Sequence, residues 1–298
     1  MAGQCLQTGG GGPTGSGTND QGKQELARQG GNAQLKPETA KIYTAGVVLE
    51  PRAISNLSIT LDYYHIDVDD LVGTIGVPAI LSGCYPTDGS QSVQQYCDLI
   101  HRAPDSGRIL FINDVNQNVG SLTTAGIDFA VRYAIPTPIG RFGLGLDGTW
   151  LQKYERTQVV GSGFQTIDGK GNYDLGALPQ WKMNIGATWR LGGWSAGTLA
   201  RYIGTFRECS APDQTSFGGL CYSASDVAAR QVGHNWTVDL NASYTLLSPI
   251  GRTLFLVGIL NVFDQTPQTI YAAPLAPSDS SVYDFVGRFI YTRIQQTF

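Results

Sequence analysis

Charged residues are scarce in this sequence. Asp, Glu, Lys and Arg make up 15% of its 298 residues, whereas about 25% is usual for a soluble domain. Apolar content is ordinary at 42%, so glycine and uncharged polar residues, not core residues, have replaced the missing charge. The 20 basic residues do not outnumber the 24 acidic ones, and this balance excludes the basic surface that nucleic-acid binding requires.

A long apolar run is also absent. A membrane-spanning helix needs about 20 predominantly apolar residues, and the best candidate, LFLVGILNVF at residues 254–263, has half that length and contains Asn261. The sequence begins with MAGQCLQTGG, which lacks the basic start and the apolar stretch of a secretory leader. We therefore expect neither a helical span nor a leader in this sequence.

The five cysteines contain no Cys-x-x-Cys pair, which disfavours a cysteine metal site. Cys84 with Cys97, and Cys209 with Cys221, each bracket a polar stretch. We predict that both pairs form loop disulfides in an oxidising compartment; unpaired thiols in a reduced protein are the alternative. Cys5 is left over, and we expect its partner to lie in sequence that is not here.

Catalytic motifs are missing as well. The sequence has no P-loop, H-E-x-x-H or G-x-S-x-G motif. GLGLDG at residues 143–148 matches a dinucleotide fingerprint, but it lies inside an alternating pattern and opens no helix. His65, His101 and His234 are far apart and show no ligand spacing. We therefore predict no enzyme activity, no catalytic residue, no metal site and no cofactor.

The sequence does contain period-two alternation, which is typical of strands with one apolar and one polar face. The clearest example runs from Trp236 to Leu246, where apolar residues alternate with Thr, Asp, Asn and Ser. A polar, glycine-rich segment at residues 1–34 precedes the alternation and is predicted to be a flexible loop or linker. Nine strands are predicted, at residues 40–50, 56–69, 121–134, 140–156, 178–192, 194–208, 235–248, 252–265 and 286–298.

The connections between these strands alternate in length. Short turns lie at residues 51–55, 136–139, 192–193 and 248–251, and long polar segments lie at about 70–120, 157–177, 209–234 and 266–285. This pattern predicts an all-β fold, an antiparallel transmembrane β-barrel of about nine strands with short periplasmic turns and long extracellular loops. A secreted β-sandwich also buries alternating strands, but it does not explain the unequal connections.

Several segments resemble the TonB-dependent outer-membrane receptors. These are LKPETAKIYTAG at residues 35–46, LSITLDYYHIDVDD at 57–70, NVGSLTTAGID at 118–128 and LNVFD at 260–264. The chain end, YDFVGRFIYTRIQQTF, resembles the final barrel strand of the family, with Phe298 as the terminal aromatic of an assembly signal. The segments occur in the order that they have in the family, over about residues 30–298.

This resemblance implies a fold and a function. The family has a plug domain inside a barrel of about 22 strands, and it imports scarce solutes such as siderophores, cobalamin or oligosaccharides with energy from the TonB complex. Residues 35–298 are then expected to be the C-terminal part of such a barrel in the bacterial outer membrane, without the plug and the N-terminal half of the barrel. The expected partners are outer-membrane lipid, the barrel-assembly machinery and the missing parts. TonB would act only through the plug, and the chain is not expected to transport alone.

In that family the polar strand positions face the lumen and contact plug or solute, whereas a generic wet interior is the alternative. The candidates are Asp62, Tyr64, Asp128, Arg132, Lys182, Arg190, Arg201, Asp239 and Asn241. A small self-contained porin is a further alternative, although nine strands do not give the even number found in bacterial single-chain barrels.

Overall fold

A computed structural model describes residues 26–86, 91–160, 163–173, 175–208, 230–270, 273 and 278–298. Cys5, Cys209 and Cys221 fall outside these residues, so the predicted Cys209–Cys221 disulfide stays a prediction.

The described chain is mostly β-structure. Its strands are β1 (Ala27–Arg28), β2 (Thr39–Leu49), β3 (Leu57–Gly73), β4 (Ile100–Arg102), β5 (Ile109–Asn113), β6 (Gln117–Thr137), β7 (Gly140–Val160), β8 (Gly163–Asp168), β9 (Trp181–Leu191), β10 (Trp194–Ile203), β11 (Phe206–Glu208), β12 (Arg230–Val232), β13 (Asn235–Ser248), β14 (Gly251–Leu260) and β15 (Phe289–Thr297). The two helices are α1 (Val77–Cys84) and α2 (Gln94–Cys97). Among the described residues, no helix is both long and apolar enough to cross a membrane.

Nine strands form one main sheet in the order β15-β14-β13-β10-β9-β7-β6-β3-β2, and β8 pairs with β7 as a tenth. The pairings are antiparallel. These nine are the strands that alternation predicts, in the predicted order, which confirms the fold class. Because they neighbour one another within a single sheet, the two stacked sheets of the sandwich alternative are not observed in the described chain.

Two predicted strands end earlier than the sequence indicates. A single strand is predicted over residues 252–265, but β14 ends at Leu260 because Asn261 and Asp264 have φ angles of 48° and 55°, which are incompatible with an extended chain. A single strand is also predicted over residues 194–208. It divides into β10 and β11, and β11 leaves the main sheet to pair with β12.

The chain divides into two compact units. The first unit contains the described residues up to Lys41, together with those of Ile66–Thr123 and Glu155–Ile167. The second unit contains Ile42–His65, Thr124–Tyr154 and Asp168–Phe298. Strands β2, β3, β6, β7 and β8 contribute residues to both.

The long segment at residues 70–120, predicted only as a polar connection, has a fold of its own in the first unit. Helices α1 and α2 pack with a three-stranded sheet in the order β1-β5-β4. Ile80 and Ile112 are fully buried in its core. The predicted disulfide between Cys84 and Cys97 is confirmed, with an S–S distance of 2.08 Å. Sequence alternation missed this fold because its strands have only two to five residues.

The second unit has a separate core, formed by residues of the long connections beside strands β10, β13 and β14. Its buried members are Ala177, Phe206, Val232, Ile270 and Tyr283. The apolar positions of the main sheet are not part of this core, and many of them are exposed, including Leu240 and Val257. The long connections therefore pack with each other, and Ile203 of β10 packs against their core.

Candidate functional site

Alternate residues of β9, β10 and β13 lie on one side of the main sheet, and we call this side the polar face. Lys182 of β9 lies opposite Ile203 of β10, and Arg201 of β10 lies opposite Thr237 of β13. Directly opposed residues of antiparallel strands point to the same side. The other candidates of these strands share that side by alternation: Arg190, Asp239 and Asn241.

Strands β6 and β7 continue the polar face. Thr149 of β7 lies opposite Lys182, and Asp147 is on the same side by alternation. The Arg132 guanidinium of β6 donates to Asp147 at 2.5 Å, and the Thr149 hydroxyl donates to the Asp128 carboxylate at 2.6 Å. Arg132 and Asp128 therefore lie on this face as well.

Asp62 and Tyr64 of β3 reach the polar face by lying over glycines of the neighbouring strands. A Cβ at Gly126 of β6, two residues from Asp128, would stand 2.5 Å from the Tyr64 hydroxyl oxygen. The Asp62 carboxylate occupies the corresponding space over Gly46 of β2. The structure thus brings all nine predicted polar candidates to a single face.

A cavity of about 530 Å³ lies on the polar face, within the size range of small-ligand sites. Its charged and polar lining includes Asp62, Asp128, Asp147, Thr149, Lys182 and Arg201. In the described chain, no Lys or Arg nitrogen lies within 4.0 Å of the Asp62 or Asp128 carboxylate, whereas Asp147 pairs with Arg132. The cavity therefore presents two carboxylates without an ion pair beside the cations of the neighbouring strands, and it can accept hydrogen bonds from a polar solute.

Five of the nine candidates lie on the polar face but do not line this cavity: Tyr64, Arg132, Arg190, Asp239 and Asn241. Arg190 stands opposite Arg141 of β7, near the short turn that joins β9 to β10. Like charges placed directly opposite each other repel, so this end of the face attracts anionic groups. The nine candidates therefore form one face but not one pocket.

Sequence reasoning missed the loop residues beside the cavity. The Tyr173 hydroxyl donates to Asp279 at 2.9 Å, although 106 positions separate the two residues. Burial would raise the pKa of Asp279, but hydrogen bonds from Ser281 and Tyr173 and the charge of Lys182 outweigh it and lower that pKa. Burial, and then hydrogen bonding to Asp279, raise the pKa of Tyr173. No periodicity links such distant loop positions, so the sequence gives no signal for them.

A second buried ionic contact also lies in these connections. Glu208, which is fully buried, accepts a hydrogen bond from the Arg230 Nε at 2.6 Å. Arg230 also donates to the backbone carbonyl of Thr269 at 2.5 Å. These contacts join the connection between β10 and β13 to the connection between β14 and β15 at the long-loop end of the sheet.

The opposite face of the main sheet is apolar, and aromatic pairs lie at both ends of it. Trp194 contacts Tyr244 at the short-turn end, and Tyr202 contacts Trp236 at the long-loop end, with ring centroids 4.7 Å and 4.6 Å apart. The eight residue steps between Trp194 and Tyr202 span about 26 Å. Nine residues are enough for a tilted strand to cross the hydrocarbon layer, which takes about 9–11, and aromatic girdles border the apolar band of outer-membrane barrels on both sides.

Three of the segments that carried the family resemblance meet in the first unit. The Asn118 side chain accepts a hydrogen bond from the Lys36 N–H at 2.9 Å and donates to the carbonyls of Lys36 and Asp70, at 3.0 Å and 2.7 Å. Glu38 accepts a bond from the Val72 N–H at 2.6 Å. These positions therefore connect the LKPE segment to the end of β3 and the start of β6.

No three His, Cys, Asp or Glu side chains come together as metal ligands in the described ranges. The polar face thus offers hydrogen-bonding and charged groups for a solute, and no built metal centre.

Comparisons with known proteins bear on this arrangement. The family model for the TonB-dependent receptor-like β-barrel matches residues 6–262. The FrpB iron transporter from Neisseria meningitidis superposes with a TM-score of 0.55 at 13% identity, covering 89% of this chain and 32% of that one. A mutant of the ferric enterobactin receptor PfeA from Pseudomonas aeruginosa gives 0.56 at 15% identity, with coverages of 91% and 32%.

The siderophore receptor PirA from Acinetobacter baumannii gives a TM-score of 0.55 at 14% identity, with coverages of 91% and 33%. The chain thus spans about a third of the length of these solved structures, and at such identities the likeness concerns the fold. The curated proteins contain no match. Since the family match covers most of the sequence, the chain belongs to the TonB-dependent receptor-like β-barrel family, whose members are receptors of the bacterial outer membrane.

Proposed function

We propose that the chain forms part of the barrel wall of an outer-membrane receptor for the active uptake of a scarce solute. The division of the main sheet into a polar and an apolar face carries this proposal. A barrel strand in a membrane turns one face to lipid and the other to a polar interior. The apolar face, bordered by aromatic pairs, suits the lipid, and the nine polar candidates then face the lumen along the path of the solute.

The edges of the main sheet indicate further partners. In the described chain β2 and β15 each pair on one side only, and an open edge is unfavourable in lipid because its backbone groups lack hydrogen-bond partners. We propose that further barrel strands and a plug domain complete the receptor, that TonB acts through the plug, and that this chain alone does not transport. Phe298, 97% exposed at the end of β15, is the proposed contact for the barrel-assembly machinery.

Siderophore complexes are the first solute class to test, followed by cobalamin and oligosaccharides. The names of the structural neighbours mention iron, ferric enterobactin and a siderophore. The polar face of this chain favours passage of a polar solute, because the cavity on it is lined by both carboxylates and cations. We propose no enzymatic role for this chain, because the cavity is proposed only to line the path of the solute.

A chimera tests the proposal. In it, this chain replaces the matching third of PfeA, and the chimera is produced in a bacterial host that lacks its own siderophore receptors. Energised cells are given labelled ferric enterobactin, cobalamin or maltoheptaose, and uptake is compared with that of an otherwise identical host without TonB. We expect outer-membrane assembly and TonB-dependent uptake of one solute class, and no uptake from this chain produced alone. Uptake that continues without TonB would instead support the porin alternative, and failure to reach the outer membrane would contradict the proposal.

A further inference from the structure

Arg201 lies where two cavities of the second unit meet. It borders the 530 Å³ cavity on the polar face and a more enclosed cavity of about 140 Å³. Its guanidinium donates to Asp239 at 2.5 Å. The Arg201 side chain is 44% exposed, whereas that of Asp239 is 9% exposed. The pair therefore joins an accessible cation to a buried carboxylate.

The other carboxylate oxygen of Asp239 accepts a hydrogen bond from the Asn261 backbone N–H at 2.9 Å. Asn261, which directly follows β14, in turn makes two bonds with the backbone of Gln265. Its amide oxygen accepts from the Gln265 N–H at 2.9 Å, and its amide nitrogen donates to the Gln265 carbonyl at 2.8 Å. Asp239 therefore fixes the point at which the last long connection leaves the sheet.

The same connection is fastened where it returns to the sheet. The Asp264 carboxylate accepts a hydrogen bond from the Arg288 backbone N–H at 2.8 Å, and the Arg288 guanidinium lies 3.7 Å from it. We call Asn261, Asp264 and Arg288 the neck. Val282, in the connection that the neck closes, borders both cavities beside Arg201.

We propose that Arg201 is a positioning residue for the solute path. By holding Asp239 it holds the neck, and the neck keeps Val282 at the edge of the polar-face cavity. The physical reason is that a buried carboxylate is unfavourable without a cationic partner. When Arg201 is removed, the Asp239 carboxylate turns towards water, and the Asn261 N–H loses its acceptor. The role of the cavity as a solute path rests on the proposed function; the coupling between Arg201 and the neck does not.

Hydrogen exchange of backbone amides in the full chain, refolded in detergent micelles, tests this inference. In Arg201→Ala, we expect the amides of Asn261 and Arg288 to exchange about tenfold faster or more, because both hydrogen bonds open more often. Arg132→Ala is the matched control. It removes a cation that is also 2.5 Å from a carboxylate on the same face, but no contact of that pair leads to the neck. Exchange at Asn261 and Arg288 should then stay within about twofold of the unmodified chain.

Two further variants separate positioning from a general loss of structure. Arg201→Lys keeps the charge beside Asp239 and should restore most of the protection at both amides. Asp264→Ala removes the acceptor of the Arg288 N–H and the ion pair with the Arg288 guanidinium, but leaves Arg201 and Asp239 in place. Exchange should therefore rise at Arg288 and remain slow at Asn261. The amide of Val257, paired with β13 in the sheet, reports in every variant whether the sheet has formed.

Unchanged exchange at Asn261 and Arg288 in a folded Arg201→Ala chain would overturn the inference. An equal effect of Arg132→Ala would overturn it as well. If Arg201→Ala does not fold, Arg201→Lys provides the test. This variant retains a cation beside Asp239, so a loss of protection at the neck in a chain whose sheet is intact would contradict the role given to the charge. Failure of the proposed function would appear separately, as an absence of TonB-dependent uptake by the chimera.

Discussion

Leu240 and Asn241 are consecutive residues of β13 that point to opposite faces of the main sheet. Leu240 lies opposite Thr198 and Ile259, whereas Asn241 lies opposite Gly197 and Gly258. Leu240 is four residues from both Trp236 and Tyr244, the aromatic residues at the two ends of the strand. If the apolar face contacts lipid, Leu240 therefore lies near the middle of the membrane.

An arginine scan of these two positions tests the assignment of the faces. Leu240→Arg should cost about 2–4 kcal/mol because it places a cation in the hydrocarbon layer, and the amount of chimeric receptor in the outer membrane should fall at least about tenfold. Asn241→Arg adds the same side chain to the polar face and should assemble at nearly the normal level. Equal losses for the two variants would contradict the assignment of lipid and lumen faces.

Gly126 allows Tyr64 to lie across its strand. A Cβ at this position would stand 2.5 Å from the Tyr64 hydroxyl and 2.7 Å from the backbone oxygen of Trp150. Because a backbone atom cannot turn away as a side chain can, Gly126→Ala should destabilise the folded chain by about 1–3 kcal/mol. Gly145→Ala is the control, since the nearest atom to its Cβ, on Arg132, is 3.7 Å away. Urea unfolding in detergent micelles should show a lower midpoint for Gly126→Ala only.

The disulfide between Cys84 and Cys97 joins the ends of α1 and α2 across a sequence separation of 13. Loop closure of this length stabilises the folded state by about 3 kcal/mol, and most of that should be lost in the first unit when both cysteines become serine. The Ile112 N–H, which donates to the Leu26 carbonyl, is the reporter. Its hydrogen exchange should accelerate in the double variant, while the Val257 amide of the second unit changes little. Unaltered exchange at Ile112 would show that the packed core suffices without the disulfide.

Much of the main sheet was predictable because alternation is repeated over many residues. The run from Trp236 to Leu246 contains enough repeats of the pattern to separate its two faces, and the polar candidates from Asp62 to Asn241 share one face of the sheet. The small fold of the first unit, in which α1 and α2 pack with β1, β4 and β5, was not predictable in this way. Its strands are too short for a period to appear, and β1 joins β5 from a distant part of the chain.

The loop contacts were unpredictable for a related reason. Tyr173, Asp279 and Tyr283 come together through the folding of separate connections, and no spacing in the sequence encodes that meeting. The end of β14 is an intermediate case. Asn261 was visible as a polar residue in an apolar run, but its left-handed backbone and its bond to Asp239 depend on the neighbouring strand.

Tyr283 should titrate well above an ordinary tyrosine. Burial, and then the negative charge of Asp279, raise its pKa to about 12, compared with about 10 in the unfolded chain. The folded pKa is the higher one, so the contribution of Tyr283 to stability is complete below pH 10 and is lost as the pH rises through about 12. Asp279→Asn removes the second cause and should lower the pKa of Tyr283. The ultraviolet absorbance of tyrosinate, taken as the difference between each protein and its Tyr283→Phe counterpart, measures both values. Ionisation of Tyr283 near pH 10 would show that these loop residues are more open to water than their packing indicates. A titration that does not respond to Asp279→Asn would show that the carboxylate does not act on Tyr283.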